Sequence, residues 1–368
     1  MSVFRGSLIR CSSSPDAPFI DIYDRVKYET SGSPSLYSRQ WYRYTNTPSQ
    51  CSIRVMQFNI LAEGLSASPQ NTPPFSVTLD GSPIQASDYG GFDIDNNADD
   101  IFDFNKHRRW KLLQEIFRVS PDILALEECD HFADFFEPAL AAAGYEGIFQ
   151  PKDNSPCCKF GYYSDGVALF WRSSVLSLIQ DPSDPQKPQF VYAAAGPCAH
   201  VVVTLQHSSG SRITVGATHL KAKAGDALEA LREQQIAQVL DTLELLGAQS
   251  SASHAILMGD FNAEPYDTDR NAAMAVPLAL EWRDGALRSA YCLPTEPGSD
   301  LYTTWKSREG TCARRVIDYI LHTQGMRVSG VLAPPAVDEI SQSTYKLPDM
   351  RYPSDHLAIA ADLELLER

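Results

Sequence analysis

The sequence predicts an α/β protein, and three features carry that expectation. Short apolar runs recur, each too short for a helix and each stopping at a polar side chain, as buried strands do. Longer stretches between them place apolar residues at helical spacing. Some neighbouring runs lie close enough to pair as hairpins, so antiparallel and parallel strands are expected together. Periodicity alone does not separate two packed sheets from one doubly wound sheet.

Residues 1–18 hold Arg5 and Arg10, several serines and no acid before Asp16, a composition shared by mitochondrial transit segments and unstructured termini. Residues 19–52, rich in Tyr, Ser and Arg, are expected along the outside of the core, so 1–50 reads as an N-terminal extension and 51–368 as the main folded domain. The first strand, Ile53-Arg54-Val55-Met56-Gln57-Phe58, ends at Asn59. Residues 64–103 are heavy in Pro, Gly, Ser and Asp and read as a solvated insert, because the Gly and closing Glu of a calcium loop are missing from their offsets. From Lys106, the residues Trp110, Leu112, Leu113, Ile116 and Phe117 make a helical stripe, with Lys106, Arg108, Arg109 and Lys111 expected on the outer face.

The next strand, Asp122-Ile123-Leu124-Ala125-Leu126, ends at Glu127-Glu128. A helix over 132–143 is stopped by Gly144, strands follow at 147–152 and 166–171, and 181–190, with three prolines, reads as a connector. Ile213-Thr214-Val215-Gly216-Ala217-Thr218 ends at His219. Asp226 is expected to cap a long amphipathic helix with Leu228, Leu231, Val239, Leu243 and Leu246 on its apolar side. Ala255-Ile256-Leu257-Met258 ends at Gly259-Asp260, Val316-Ile317 leads into Asp318-Tyr319, and Ser354-Asp355-His356 opens the last strand. Strand ends in open sheets are where chemistry collects. Asp260 and Asn262 would share a face in extended geometry, and an anion beside a neutral amide suits a phosphate; the same spacing also makes an Asx turn.

A chain of 368 residues, 43% hydrophobic, can bury a full core, and polar strand ends spread from Asn59 to His356 must converge in one fold. The net charge of −15 argues against a nucleic-acid coat or a membrane-surface protein, which want basic stripes, and leaves room for a small basic pocket. Eight cysteines without a CxxC pair read as reduced thiols of an intracellular protein rather than a zinc site. No apolar run approaches a membrane span.

Asn59, Glu128, Asp260-Phe261-Asn262, Asp318-Tyr319 and Ser354-Asp355-His356, in that order, resemble the motif series of the endonuclease/exonuclease/phosphatase superfamily. Val55-Met56-Gln57-Phe58-Asn59-Ile60-Leu61-Ala62, Thr218-His219-Leu220-Lys221-Ala222-Lys223, Tyr302-Thr303-Thr304-Trp305-Lys306 and Tyr352-Pro353-Ser354-Asp355-His356 are similar to blocks of the nocturnin family within it. The resemblance implies a four-layer sandwich, two mixed β-sheets face to face with helices outside, the DNase I-like fold. It also implies a hydrolase of phosphoester bonds that depends on Mg²⁺, with Mn²⁺ as a substitute.

The resemblance further implies roles. Glu128 aligns with the motif glutamate and is the expected metal ligand, although Glu127 has the same chemistry; Asp355 would reach a second metal or a metal-bound water. Asp260 would activate the attacking water and Asn262 hold the phosphate. His356 would stabilise the pentavalent phosphate and the departing oxygen, its tautomer fixed by Asp318. Asn59 would steady Glu128 or the phosphate and His219 line the same floor, with a structural hydrogen bond as the alternative for both. Lys152, Lys221, Lys223 and Arg314 lie where the nocturnin family uses basic residues to hold nicotinamide dinucleotide phosphates; surface solvation is the alternative. The expected activity is removal of the 2′-phosphate of NADP⁺ or NADPH by a monomer in the cytoplasm or mitochondrion. Its rivals are a 3′ exoribonuclease acting on poly(A) RNA, a phosphoinositide or sphingolipid phosphodiesterase, and a binding protein that keeps the fold without turnover.

Overall fold

The computed structural model describes residues 21–45, 51–66, 92, 99–181, 184–188, 191–194, 198–269, 272–308 and 310–366. The expectations for 1–18 and for most of the 64–103 insert lie outside them. One sheet contains β1 (Trp41–Arg43), β2 (Ser52–Asn59), β3 (Ile123–Glu127), β4 (Tyr145–Pro151), β5 (Gly166–Arg172), β17 (Met326–Leu332) and β18 (Ile359–Leu365), in the order β1-β17-β18-β2-β3-β5-β4. The other contains β6 (Leu176–Leu178), β10 (His200–His207), β11 (Arg212–His219), β12 (His254–Asp260), β13 (Leu287–Ser289) and β16 (Asp318–Thr323), in the order β13-β16-β12-β11-β10-β6, with β9 (Val191–Ala194) also paired to β10. Two separate hairpins are β7 (Gln180–Asp181) with β8 (Asp184–Pro188), and β14 (Thr304–Arg308) with β15 (Thr311–Arg315). The first of these corrects the reading of 181–190 as a plain connector.

The central strands of both sheets are buried on both faces. In β2, Val55 joins Ile123, Val203 and Met258 in the core between the sheets, while Met56 and Phe58 face outward under Leu113 and Ile116. Those two belong to helix α3 (Arg109–Val119), which packs against α1 (Ile22–Thr30). The remaining helices are α2 (Asp99–Phe102), α4 (Glu137–Ala142), α5 (Asp226–Ser250), α6 (Ala275–Gly285) and α7 (Val337–Ser341). Ile236 and Val239 of α5 lie with Val276 of α6 over Leu257 and Leu321 on the outer side of the second sheet. The result is the expected four layers. No helix of the described residues is long and apolar enough to cross a membrane.

The site is positioned by two parallel pairs, β2 with β3 and β11 with β12, each inside an otherwise largely antiparallel sheet. Parallel strands end together, so Asn59 lies opposite Glu127 and His219 opposite Asp260. Strand β16 runs antiparallel to β12 and starts where β12 stops, pairing Asp318 with Asp260.

Two charged positions depart from expectation at the start of α3. Arg108 and Lys111, expected on the outer face, are only 1% and 2% exposed. Arg108 donates to the Ile60 and Leu61 carbonyls, 3.0 and 2.7 Å, and Lys111 donates to the Pro34 carbonyl, because the 21–45 segment and the β2 loop cover that side of the helix. In α5, Gly225 rather than Asp226 is the N-cap, and no side chain caps the helix. Its N-terminal half buries Glu229, Arg232 and Gln235, leaving Leu228 and Leu231 half-buried.

Candidate active site

A buried amide ties the two sheets together at their polar ends. Asn59 Nδ2 donates to Glu128 Oε1 at 3.2 Å and to Asp260 Oδ2 at 3.0 Å, and Asn59 Oδ1 accepts from the Leu61 N–H at 3.1 Å, which fixes the amide's orientation. Glu128 reaches this position by leaving β3 in the left-handed conformation, φ +56°. That backbone is costly for a residue with a Cβ, and here it swings the carboxylate out of strand alternation toward Asn59 and the Ala62 N–H, 3.2 Å from Oε2. Glu127, still in the strand, accepts from Gln57 Nε2 at 2.8 Å.

Asp260 and Asn262 do not share a face of an extended strand. Asp260 Oδ1 accepts from the Asn262 N–H at 2.8 Å, and Asn262 has φ +51°, so the segment is an Asx turn whose first side chain also serves the site. Asn262 Nδ2 donates to His219 Nε2 at 3.0 Å and to the Leu220 carbonyl at 3.1 Å, so its amide hydrogens hold the floor of the cleft. Gly259 is required beside it: a Cβ there would sit 2.0 Å from the Thr218 carbonyl oxygen of the neighbouring strand. His219 Nδ1 lies 3.4 Å from Lys152 Nζ, which is paired with Asp165 at 2.5 Å. Burial, together with Lys152, His356 and Lys306, pushes the His219 imidazole well below its usual range, so it is neutral.

Across the floor, His356 Nδ1 meets Asp318 Oδ2 at 2.9 Å, and the carboxylate is held by Thr303 Oγ1 at 2.6 Å and Gln57 Nε2 at 2.8 Å. His356 Nε2 then faces Asp260 Oδ2, 3.7 Å away. Burial would lower the imidazole, but Asp318, Asp260 and Asp355 outweigh it and raise His356 to about 9. Asp260 is shifted upward, by burial first and then by Asp318, against the pull of His356. Asp355 is the reverse case: Lys306, His356 and Arg308 overcome its burial and hold it below the usual carboxylate range.

Lys306 and Arg308 are the residues that sequence reasoning missed. Lys306 Nζ donates to Asp355 Oδ2 at 2.6 Å and lies 3.2 Å from His356 Nε2, and Arg308 Nη2 donates to the same Asp355 oxygen at 2.9 Å. Arg314 differs from expectation in the opposite sense. It pairs with Trp305 across the hairpin and stacks over the Trp305 and Tyr302 rings, at 5.3 and 5.7 Å. Side chains alternate along a strand, so Arg314 shares Trp305's face while Lys306 and Arg308 share the one turned to Asp355. Alternation within Thr304-Trp305-Lys306-Ser307-Arg308 was the signal that could have found them. Lys221 and Lys223 are exposed beyond His219.

Two carboxylate groups bear on metal binding. Asp260, Asp318 and His356 offer ligand atoms within 4.8 Å of one another. Asp318, however, already accepts from His356, Thr303 and Gln57, so its carboxylate is engaged within the protein, while His356 Nε2 stands 3.7 Å from Asp260. Glu128 offers a hard oxygen donor that accepts two neutral N–H groups at 3.2 Å, and among the described residues no lysine or arginine is paired with it. A hard carboxylate with no cation bonded to it fits Mg²⁺ or Mn²⁺.

Comparison with known proteins identifies the family. The model of the Endonuclease/Exonuclease/phosphatase family matches residues 56–356. Nocturnin of Xenopus laevis is 30% identical over 355 residues, covering 94% of this chain and 82% of that protein. Nocturnin of Mus musculus is 30% identical over 341 residues, covering 91% and 71%. The solved structure of the human Nocturnin catalytic domain with bound sulfate anion matches with a TM-score of 0.60 at 26% identity, covering 89% of this chain and 97% of that one. The chain thus belongs to the endonuclease/exonuclease/phosphatase family, and with it to the hydrolases that act on phosphoester bonds.

Proposed function

We propose that the chain removes the 2′-phosphate of NADP⁺ or NADPH, giving NAD⁺ or NADH and inorganic phosphate. The observation that carries this reading is the placement of its cations. On a chain of net charge −15, Lys152, Lys306 and Arg308 stand within 3.4 Å of His219, His356 or Asp355, so three cations are gathered at the catalytic floor beside the carboxylates they pair with. Such a cluster suits a compact polyanion. Lys221 and Lys223 are proposed as further contacts at the rim.

In this reading Glu128 holds the divalent cation, which when bound neutralises charge on the phosphoryl oxygens. Asp260, aimed by Asn59, orients a water and accepts its proton as the oxygen attacks phosphorus. The bond from phosphorus to the ribose 2′ oxygen breaks, and His356 Nε2 supplies the proton that the departing oxygen takes up. Asp318 keeps Nδ1 engaged, so that Nε2 is the nitrogen presented to the substrate. Asn262 and His219 support the floor.

The test offers purified enzyme with Mg²⁺ either NADP⁺ and NADPH or oligo(A). Phosphate released from the dinucleotides, abolished by chelator and restored by Mg²⁺ or Mn²⁺, is the expected result. Shortened oligo(A) with no phosphate from either dinucleotide would transfer the function to the exoribonuclease reading.

A further inference from the structure

Glu128, half-buried, and Asp355, 2% exposed, differ in one respect that their sequence positions do not show. Glu128 has no cationic side chain paired with it among the described residues, whereas one oxygen of Asp355 receives two cations, Lys306 Nζ at 2.6 Å and Arg308 Nη2 at 2.9 Å. We propose that the Lys306 ammonium, seconded by Arg308, stands where a second divalent cation would otherwise bind, so that this chain takes one such cation, at Glu128. The inference rests on the metal reading of Glu128 given above.

Both cations are built in rather than trailing from the surface. Lys306 lies on β14, whose Thr304 forms an isolated bridge to His356 and donates from its hydroxyl to the Asp355 carbonyl at 2.7 Å, so the strand is registered on the Asp355-His356 segment itself. Arg308 is fixed from the other side. Phe92 makes a backbone bridge to it and lays its ring under the guanidinium, 4.3 Å from centroid to Cζ, while only 6% exposed. A cation over an aromatic face keeps a preferred place even when its carboxylate is contested.

The ammonium also lies 3.2 Å from His356 Nε2, so its charge sits between Asp355 and the imidazole nitrogen turned toward Asp260. A divalent ion ligated by Asp355 would compete for an oxygen that already accepts two charge-assisted hydrogen bonds, and it would stand beside two like charges. Among the described residues Glu128 accepts no charge-assisted hydrogen bond, and Lys152 and Arg108 act on it only through space. A lysine in this place delivers its charge with the folded chain, so that half of the site would work independently of cation concentration.

Counting Mn²⁺ bound by the metal-stripped full chain, by electron paramagnetic resonance and calorimetry, tests this. The native chain should bind one Mn²⁺, Glu128→Gln should lose it, and the Lys306→Gln/Arg308→Gln double variant should bind two. Two Mn²⁺ in the native chain, or one in the double variant with native circular dichroism, would overturn the inference. No Mn²⁺ in the native chain would take down the Glu128 reading instead, and the inference with it. Should the double variant fail to fold, Lys306→Gln alone is counted and read in the same way.

Discussion

Adjacent glutamates meet opposite fates at the end of β3. Glu127 is held well above the usual carboxylate range by burial, with Asp318 and Asp260 adding to it, and so reads as a neutral packing group. Glu128 escapes through one left-handed backbone step. His356 allows a sharper test, since Asp318 is the strongest influence raising it to about 9 from an ordinary 6.5. A raised imidazole keeps its proton below that value and loses it as pH climbs through it, so turnover that needs the imidazolium should decline on the alkaline side near pH 9. Asp318→Asn retains an acceptor at Nδ1 and removes the charge, and should move that limb of the kcat profile down by roughly one to two units. An unmoved limb would mean that Asp318 does not set this proton. Residue identity along the chain named Asp318 and His356 through their motifs, but among the basic residues of the hairpin it named Arg314 and passed over Lys306 and Arg308, because a basic residue beside a motif looks the same on either face of a hairpin. Only the register of β14 on β15, which pairs Trp305 with Arg314, shows which cations turn inward.

At the scale of the element, α5 was legible as a helix, yet its first turns were misread for a physical reason. Glu229 and Arg232 look like an exposed pair three residues apart, but their side chains are both 0% exposed. Arg232 Nη1 donates to the Lys221 and Lys223 carbonyls, each at 2.7 Å, while Glu229 Oε1 accepts from the Met274 and Ala275 N–H groups at 3.1 and 3.0 Å. The pair therefore fastens the loop carrying two rim lysines to the start of α6. Arg232→Ala removes the cation from a buried carboxylate and should cost about 3 to 5 kcal/mol in urea unfolding. Glu229→Gln/Arg232→Met, which removes both charges, should cost clearly less. Equal losses would show that the backbone contacts, rather than the uncompensated charge, decide the stability of this corner.

At the scale of the molecule, the arrangement of two sheets was not readable from periodicity because the central strands of both sheets are covered on both faces. Val55 and Met56, neighbours in β2, are both fully buried, one between the sheets and one under helices, so the alternation of a half-exposed strand disappears. A doubly wound sheet would give the same apolar runs. What remained legible was the polar residue at each strand end, and the motif order supplied the layers. The charge distribution yields the last prediction. A nuclease that grips a long strand gains affinity with each phosphate its cations neutralise, and that gain fades steeply with salt. Here the net charge is −15, and Lys152, Lys306 and Arg308 are gathered at the floor with Lys221 and Lys223 proposed at the rim, so phosphates reaching beyond the rim meet a protein of net charge of their own sign. Oligo(A), tested as an inhibitor of NADP⁺ hydrolysis, should therefore hold its inhibition constant within about threefold as its length doubles beyond a short oligomer, with a shallow dependence on salt. A tenfold gain per doubling, lost between low and physiological salt, would reveal a cationic track and favour RNA as the substrate of this site.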